Sequence, residues 1–104
     1  MFDKEQAREK IKLLVDKYNR VVESGKLKSY NEERTKAEFI EPLFEALGWD
    51  VRNTHNEDEV TREEKISRGR VDYCFRIGDI PKFFLEAKPL KADLDNIDYV
   101  KQAI

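Results

Sequence analysis

Apolar residues recur at helical spacing across residues 4–24, where Ala7, Ile11, Leu14, Val15, Tyr18, Val21 and Val22 form one stripe. Asp3 stands where an N-cap belongs and Gly25 where a helix stops, so the spacing predicts an amphipathic helix. The stripe is short and set among mixed charges, which assigns this helix to the domain core rather than to a membrane or a coiled coil. A second stripe, Ile40, Leu43, Phe44 and Leu47, ends at Gly48. Thr35-x-x-Glu38 fits a capping box for a start inside this segment, and a start at Asn31 is the alternative. Pro42 predicts a kink, because it cannot donate to the Glu38 carbonyl and it crowds that turn.

The period then falls to two. Trp49-Asp50-Val51 reads as the beginning of a short strand, and the polar stretch 53–67 as a loop or a ragged edge hairpin. In 69–77, Val71, Tyr73, Phe75 and Ile77 alternate with Asp72, Cys74 and Arg76, the pattern of a half-buried strand. Gly78-Asp79-Ile80-Pro81 supplies turn residues, and residues 82–88 form a second strand whose Lys82, Phe84, Glu86 and Lys88 share a face. Pro89 breaks it. Leu94, Ile97, Val100 and Ile104 predict a third helix over 93–104. That helix has no stop signal, which predicts that the chain is a fragment of a longer protein.

The hairpin carries chemistry. If its turn is centred near Asp79, residue 72 lies opposite residue 86, and opposed side chains on an antiparallel pair have Cβ atoms about 4.5–5.5 Å apart. Two carboxylates so placed can share a cation. Mg²⁺ takes one or two carboxylates with waters and substrate phosphate, so Asp72, Glu86 and the Ala87 carbonyl make a reasonable half-shell, with Lys88 pointing the same way as Glu86. The plain alternative is an exposed ion-pair cluster, common in a chain that is 40% charged. Against it, both carboxylates sit in strands rich in aromatic and β-branched residues, where Asp and Glu are unfavourable.

The blocks NEERTKAEFIEPLFEALGWDV (31–51), GRVDY (69–73) and FFLEAKP (83–89), followed by Gln102, resemble the N-terminal nuclease domain of restriction endonucleases. Within that group they are most similar to the type I restriction R subunit and to fused type IIG restriction-modification enzymes of the PD-(D/E)xK superfamily. The resemblance covers residues 30 to 104. It implies an α/β (α+β) restriction-endonuclease-like core, with a mixed sheet of three to four strands flanked by helices. Residues 1–104 would be a single N-terminal nuclease domain, in which 1–25 is a leading helix and 31–104 the core. It further implies that Asp72 and Glu86 ligate Mg²⁺, with Mn²⁺ as substitute, that Lys88 positions or activates the attacking water, and that Gln102 is the family's glutamine. Val71 stands where the superfamily has proline. The tyrosine that usually follows the glutamine is absent, because the sequence ends at Ile104.

A helix glutamate often completes such sites. Resemblance to an Asn-Glu-x-x-Thr pattern points to Glu32, with Glu38 as rival. Glu38 falls nearly opposite the apolar stripe and is predicted to face solvent, so Glu32, in the first turn of a helix starting at Asn31, is preferred. The implied partners are double-stranded DNA and downstream methyltransferase, target-recognition or translocase domains in the same chain or complex, with a homodimer also open. Two other readings remain: a catalytically inactive docking module, and a repair nuclease of the same superfamily.

Composition limits the means. Twenty Lys and Arg against 22 Asp and Glu give a formal net charge of −2, unlike a module that holds DNA by bulk electrostatics. Arg62, Lys65, Arg68 and Arg70 could touch phosphates, although such a run is more often a solvated loop. His55, the one histidine, has no ligand partner at zinc spacing and is expected at the surface. The lone Cys74 forms no internal disulfide and is expected to pack as a small side chain. No apolar run approaches the roughly 18 residues of a membrane span, and the charged start is no secretory signal, so a cytoplasmic protein is expected.

Overall fold

The computed structural model describes residues 2–67 and 69–90. The expected helix 93–104, Gln102 and Arg68 lie outside them. Helix α1 spans Lys4–Glu23, and its start follows from the Asp3 carboxylate, which accepts the Glu5 N–H at 2.9 Å and the Gln6 N–H at 3.4 Å. Ala7 and Val21 are buried, whereas Val15 and Val22, counted in the predicted stripe, are exposed. Contact with the domain is therefore made by a narrower stripe than the sequence pattern outlines.

The second helical run starts at Glu32, one residue after Asn31, whose side chain accepts the Arg34 N–H at 2.8 Å. The Thr35/Glu38 capping box is thus not what caps it. Thr35 instead donates its hydroxyl to the Asn31 carbonyl at 2.7 Å. The run begins as α2 (Glu32–Thr35), widens into a π-helical turn (Lys36–Ile40) and continues as α3 (Glu41–Ala46). In the wide turn the Glu41 N–H donates to the Lys36 carbonyl. Pro42 supplies the reason: it has no N–H for an α-helical bond to Glu38, and one residue of slack before it removes that demand. The irregularity expected at Pro42 is therefore a bulge on its N-terminal side.

The run closes at Gly48, with φ +100°, where the Trp49 N–H returns to the Phe44 carbonyl at 3.0 Å. A side chain at Gly48 would also meet the Phe2 ring, 2.8 Å from the position of a Cβ. Residues 49–51 form no strand, which corrects the strand expected there. The Asp50 carboxylate accepts the N–H groups of Thr54, His55 and Asn56 at 2.8–2.9 Å, so it organises the loop instead of facing a neighbouring strand. His55 is exposed.

Three strands follow: β1 (Val60–Ile66), β2 (Gly69–Ile77) and β3 (Ile80–Leu85), antiparallel in the order β1-β2-β3. The α+β class is as expected. The described sheet is a plain antiparallel meander rather than a mixed sheet. Arg62 and Lys65 belong to β1 and Arg70 to β2, so the basic run is strand rather than loop. Val60, Tyr73 and Phe75 pack with Val51, and Ile40, Phe44, Trp49 and Leu85 close over them. Phe75 stacks on Phe83 with ring centroids 4.5 Å apart and meets Phe44 at 4.7 Å and Trp49 at 5.1 Å. Cys74, on the opposite face, is fully buried as expected, and burial pushes its thiol pKa up.

Loss of these ring contacts in Phe75→Ala is expected to lower unfolding free energy by about 3–5 kcal/mol. Urea denaturation followed by tryptophan fluorescence measures it, since Trp49 lies against the same ring. A loss below about 1 kcal/mol would show that this cluster does not carry the fold.

Candidate active site

One residue each from β2 and β1 ties the helical run to the sheet. The Tyr73 hydroxyl donates to Glu41 Oε2 at 2.7 Å, and Arg62 of β1 donates to Glu41 Oε1 at 2.9 Å. Burial works against the Glu41 charge, but Arg62 and Tyr73 outweigh it and the carboxyl pKa is lowered. Burial, then Glu41, pushes the Tyr73 phenol above its ordinary range. The start of α3 is thereby pinned over the middle of β2.

One residue earlier stands Asp72. The β2–β3 pairing reads Ile77↔Ile80 and Arg76↔Pro81, then Phe75↔Phe83, Cys74↔Phe84 and Tyr73↔Leu85. The tight turn Gly78-Asp79 has φ +57° and +66°, the double positive pair of a two-residue hairpin loop. Such a turn alone would set residue 72 against Leu85. The bulge at Arg76/Phe75, which leaves Lys82 without a partner, moves the register by one, so that continued one step past its last pair it would set residue 72 against Glu86. The register points to the expected 72/86 pairing through the bulge rather than through a turn centred on Asp79, but its last pair, Tyr73↔Leu85, falls one step short of it.

The ladder ends at Leu85, and the Ala87 N–H donates to Asp72 Oδ2 at 2.7 Å. Ala87 was expected to offer its carbonyl; its N–H fixes the acidic side chain. Glu86 and Lys88 on either side are exposed, and Lys88 is close enough to act on Asp72 through space.

The other Asp72 oxygen, Oδ1, accepts from the Lys36 ammonium at 2.8 Å. This lysine went unnoticed in the sequence. The signal was available: Lys36 precedes Ile40 and Phe44 by four and eight residues, so it heads a row of core residues, where a charge requires a partner. Its side chain is 8% exposed, and Glu33 at 3.3 Å and Glu63 at 3.4 Å complete its contacts with acids. Burial disfavours the ammonium, but Asp72 and then Glu33 more than offset this, and its pKa is raised. Burial likewise opposes ionisation of Asp72; Lys36, the Ala87 N–H and Lys88 win, and the carboxyl pKa is lowered.

Glu63 also has no sequence signature. The β1–β2 pairs Arg62↔Tyr73 and Glu64↔Val71 bracket Glu63 and Asp72 as the step between them, and Glu63 sits at φ +53°, an uncommon conformation for a glutamate. Asp72 thus has Glu63 of β1 beside it, and Glu86 lies just past β3 in the segment whose Ala87 N–H it accepts. Among the described residues, no three His, Cys, Asp or Glu side chains converge closely enough to hold a metal unaided. A cationic group nevertheless rests on Asp72, in the form of Lys36, so the position suits positive charge. The donors fit a partial carboxylate shell of the kind Mg²⁺ accepts when waters and phosphate supply the remainder.

The helix glutamates separate. Glu32 is half-buried in the first turn of α2, and Glu33, its neighbour, is the one that contacts Lys36. Glu38 does not face solvent as expected. It accepts from the Tyr30 hydroxyl at 2.7 Å, from Arg34 Nε at 2.7 Å and from Lys17 Nζ at 3.0 Å, joining α1 to the helical run. Those bonds, Arg34 first, hold its carboxyl at about 2. Its work is structural.

Fold and site together describe a helix-covered β-meander that offers one acidic side chain beside a glutamate of β1 and an E-x-K segment. Over 97 residues the chain is 34% identical to the type II restriction enzyme and methyltransferase RM.Eco57I of Escherichia coli, a stretch covering 84% of this chain. The chain is thereby related to a restriction system, and it spans 10% of the length of that relative. No protein-family model and no solved structure matches it. Among the described residues, no helix is long and apolar enough to cross a membrane.

The Glu38 cluster predicts an acid transition. Its carboxyl is depressed from 4.5 to about 2, so its stabilisation is full above the unfolded value and disappears as pH falls from about 4.5 to about 2. Glu38→Gln is expected to lower stability near neutrality and to flatten the pH dependence in that window, read by urea denaturation at each pH. An unchanged slope would mean the cluster does not form in solution.

Proposed function

We propose that this domain hydrolyses DNA phosphodiester bonds as the nuclease part of a restriction-modification system. The observation that carries the proposal is the bond from the Ala87 N–H to Asp72 Oδ2, which ties the Glu86-Ala87-Lys88 segment to Asp72 in the direction the bulged register leads. The relation to a fused restriction enzyme and methyltransferase supports it.

Asp72 and Glu86 would hold Mg²⁺, with Mn²⁺ as substitute, and Glu32 is the helix carboxylate that the Asn-Glu-x-x-Thr resemblance offers to join them. A divalent cation, when bound, polarises a phosphoryl oxygen and lowers the pKa of water. Lys88, exposed on the same segment, would stabilise charge developing on the phosphate and orient the attacking water. Ala87 keeps Asp72 from rotating away. Target recognition and methylation would reside elsewhere in the protein, in keeping with the small share of its relative that the chain spans.

A second reading has one observation in its favour. The Lys36–Asp72 pair satisfies Asp72 within the chain, as it would in a nuclease-like docking module with no catalytic role.

Cleavage of duplex DNA by the intact protein with Mg²⁺ tests the proposal. Asp72→Asn is expected to reduce cleavage about a thousandfold or more, the scale of several kcal/mol of lost charge stabilisation. Lys88→Ala is expected to lose cleavage while retaining Mn²⁺ binding by calorimetry. Unchanged cleavage by Asp72→Asn would overturn the assignment, and no saturable Mn²⁺ binding in the wild-type protein would favour the docking module.

A further inference from the structure

The two oxygens of Asp72 are held by partners of very different mobility. Oδ2 accepts a backbone N–H, from Ala87, which cannot leave without moving the chain after β3. Oδ1 accepts the head group of Lys36, which ends a flexible four-carbon stem. Glu33 and Glu63 lie within 3.4 Å of that head group, and both are more exposed than Asp72, with side chains 79% and 53% accessible against 18%. An ammonium leaving Oδ1 therefore has carboxylates on its way to solvent and need not abandon all its partners at once. A divalent cation on the same oxygen would stand beside a like charge in a partly buried place, where Coulomb repulsion is weakly screened.

We propose that Lys36 is a displaceable counter-ion of the site: its ammonium holds Asp72 Oδ1 in place of a divalent cation, and the two compete for that oxygen. The proposal rests on the reading of Asp72 as a cation ligand. It makes the resting domain a weak metal binder by construction, since the apparent affinity falls by the fraction of molecules in which Oδ1 is free. A lysine that merely positioned Asp72 would do the opposite, because removing it would weaken cation binding.

The experiment is calorimetric titration of Mn²⁺ into the intact protein, comparing wild type with Lys36→Met, Lys88→Met and Asp72→Asn. Methionine keeps most of the buried stem of Lys36 and removes its charge. Lys36→Met is expected to bind Mn²⁺ about tenfold more tightly or better. Lys88→Met, which removes a positive charge that acts on Asp72 through space, is expected to change affinity less. Equal or weaker binding in Lys36→Met, or the same gain in Lys88→Met, would overturn the competition. Retention of full binding by Asp72→Asn would instead overturn the metal-site reading itself, whatever Lys36 does. Should Lys36→Met fail to fold, the wild-type protein still decides: the Lys36 ammonium protons are expected to exchange slowly by NMR without Mg²⁺ and rapidly at saturating Mg²⁺. Protection that persists at saturation would overturn the proposal.

Discussion

A lysine head group pressed against an aspartate 36 residues away fixes the relation between the helical run and the sheet. Lys36 closes the α2 end of the run, and beside it Thr35 accepts the Leu90 N–H at 2.8 Å. Two consecutive side chains thus grip the middle strand and the segment that leaves β3. The pair is an expensive one to bury, because both ions shed water and only close geometry with further acceptors recovers the loss. Glu33, Glu63 and the Ala87 N–H supply those extra partners. The same bonds that hold the fold together therefore lock an acidic side chain of the middle strand between the helical run and the segment that leaves β3.

Register is the second dependence. In a sheet, a slip of one residue turns every side chain to the opposite face. The Gly78-Asp79 turn and the bulge at Arg76/Phe75 each set part of the pairing, and only together do they lead position 86 toward position 72. The aromatic stack of Phe75 on Phe83 lies immediately on the Asp72 side of the bulge and reinforces the shifted register. Packing of the core and assembly of the acidic row are thus settled by the same pair of rings.

Much of this was legible in the sequence because it rests on local rules. Asp3 capping α1, the alternation of Val71, Tyr73 and Phe75, the hairpin after Ile77 and the stop at Gly48 all follow from periods and turn residues that a few neighbours decide. The parts that were not legible depend on distant partners. Glu38 looked solvated because its place on a helical wheel says nothing of Tyr30 and Lys17, which approach it from other elements. Asp50 looked like a strand residue because three N–H groups from the following loop cannot be counted from its own position. Lys36 and Glu63 become members of the site only when β1, β2 and the helix meet, and neither belongs to a motif. The Asp72/Glu86 pairing was expected from a turn one half-step away from the real one, an error that the bulge cancels.

The wide turn at Lys36–Ile40 has a consequence for how this sequence can drift. A π-helical turn holds one residue more than the α-helical turn it replaces, and each residue of an α-helix advances about 100° around the axis. Deleting one residue between Lys36 and Glu41 would let the run close as ordinary α-helix, an improvement by local criteria. It would also leave three residues where four now stand between Lys36 and Glu41, so that Glu38, Phe39 and Ile40 could no longer all keep the directions in which they meet Tyr30, Tyr18 and the core. Within the turn Ala37 alone is exposed, so substitution is cheap there, whereas Lys36, Glu38, Phe39 and Ile40 each carry contacts described above or ring contacts with Tyr18 and Tyr30. Length is thus a constraint on this segment in its own right, beside the one that four of its five side chains impose.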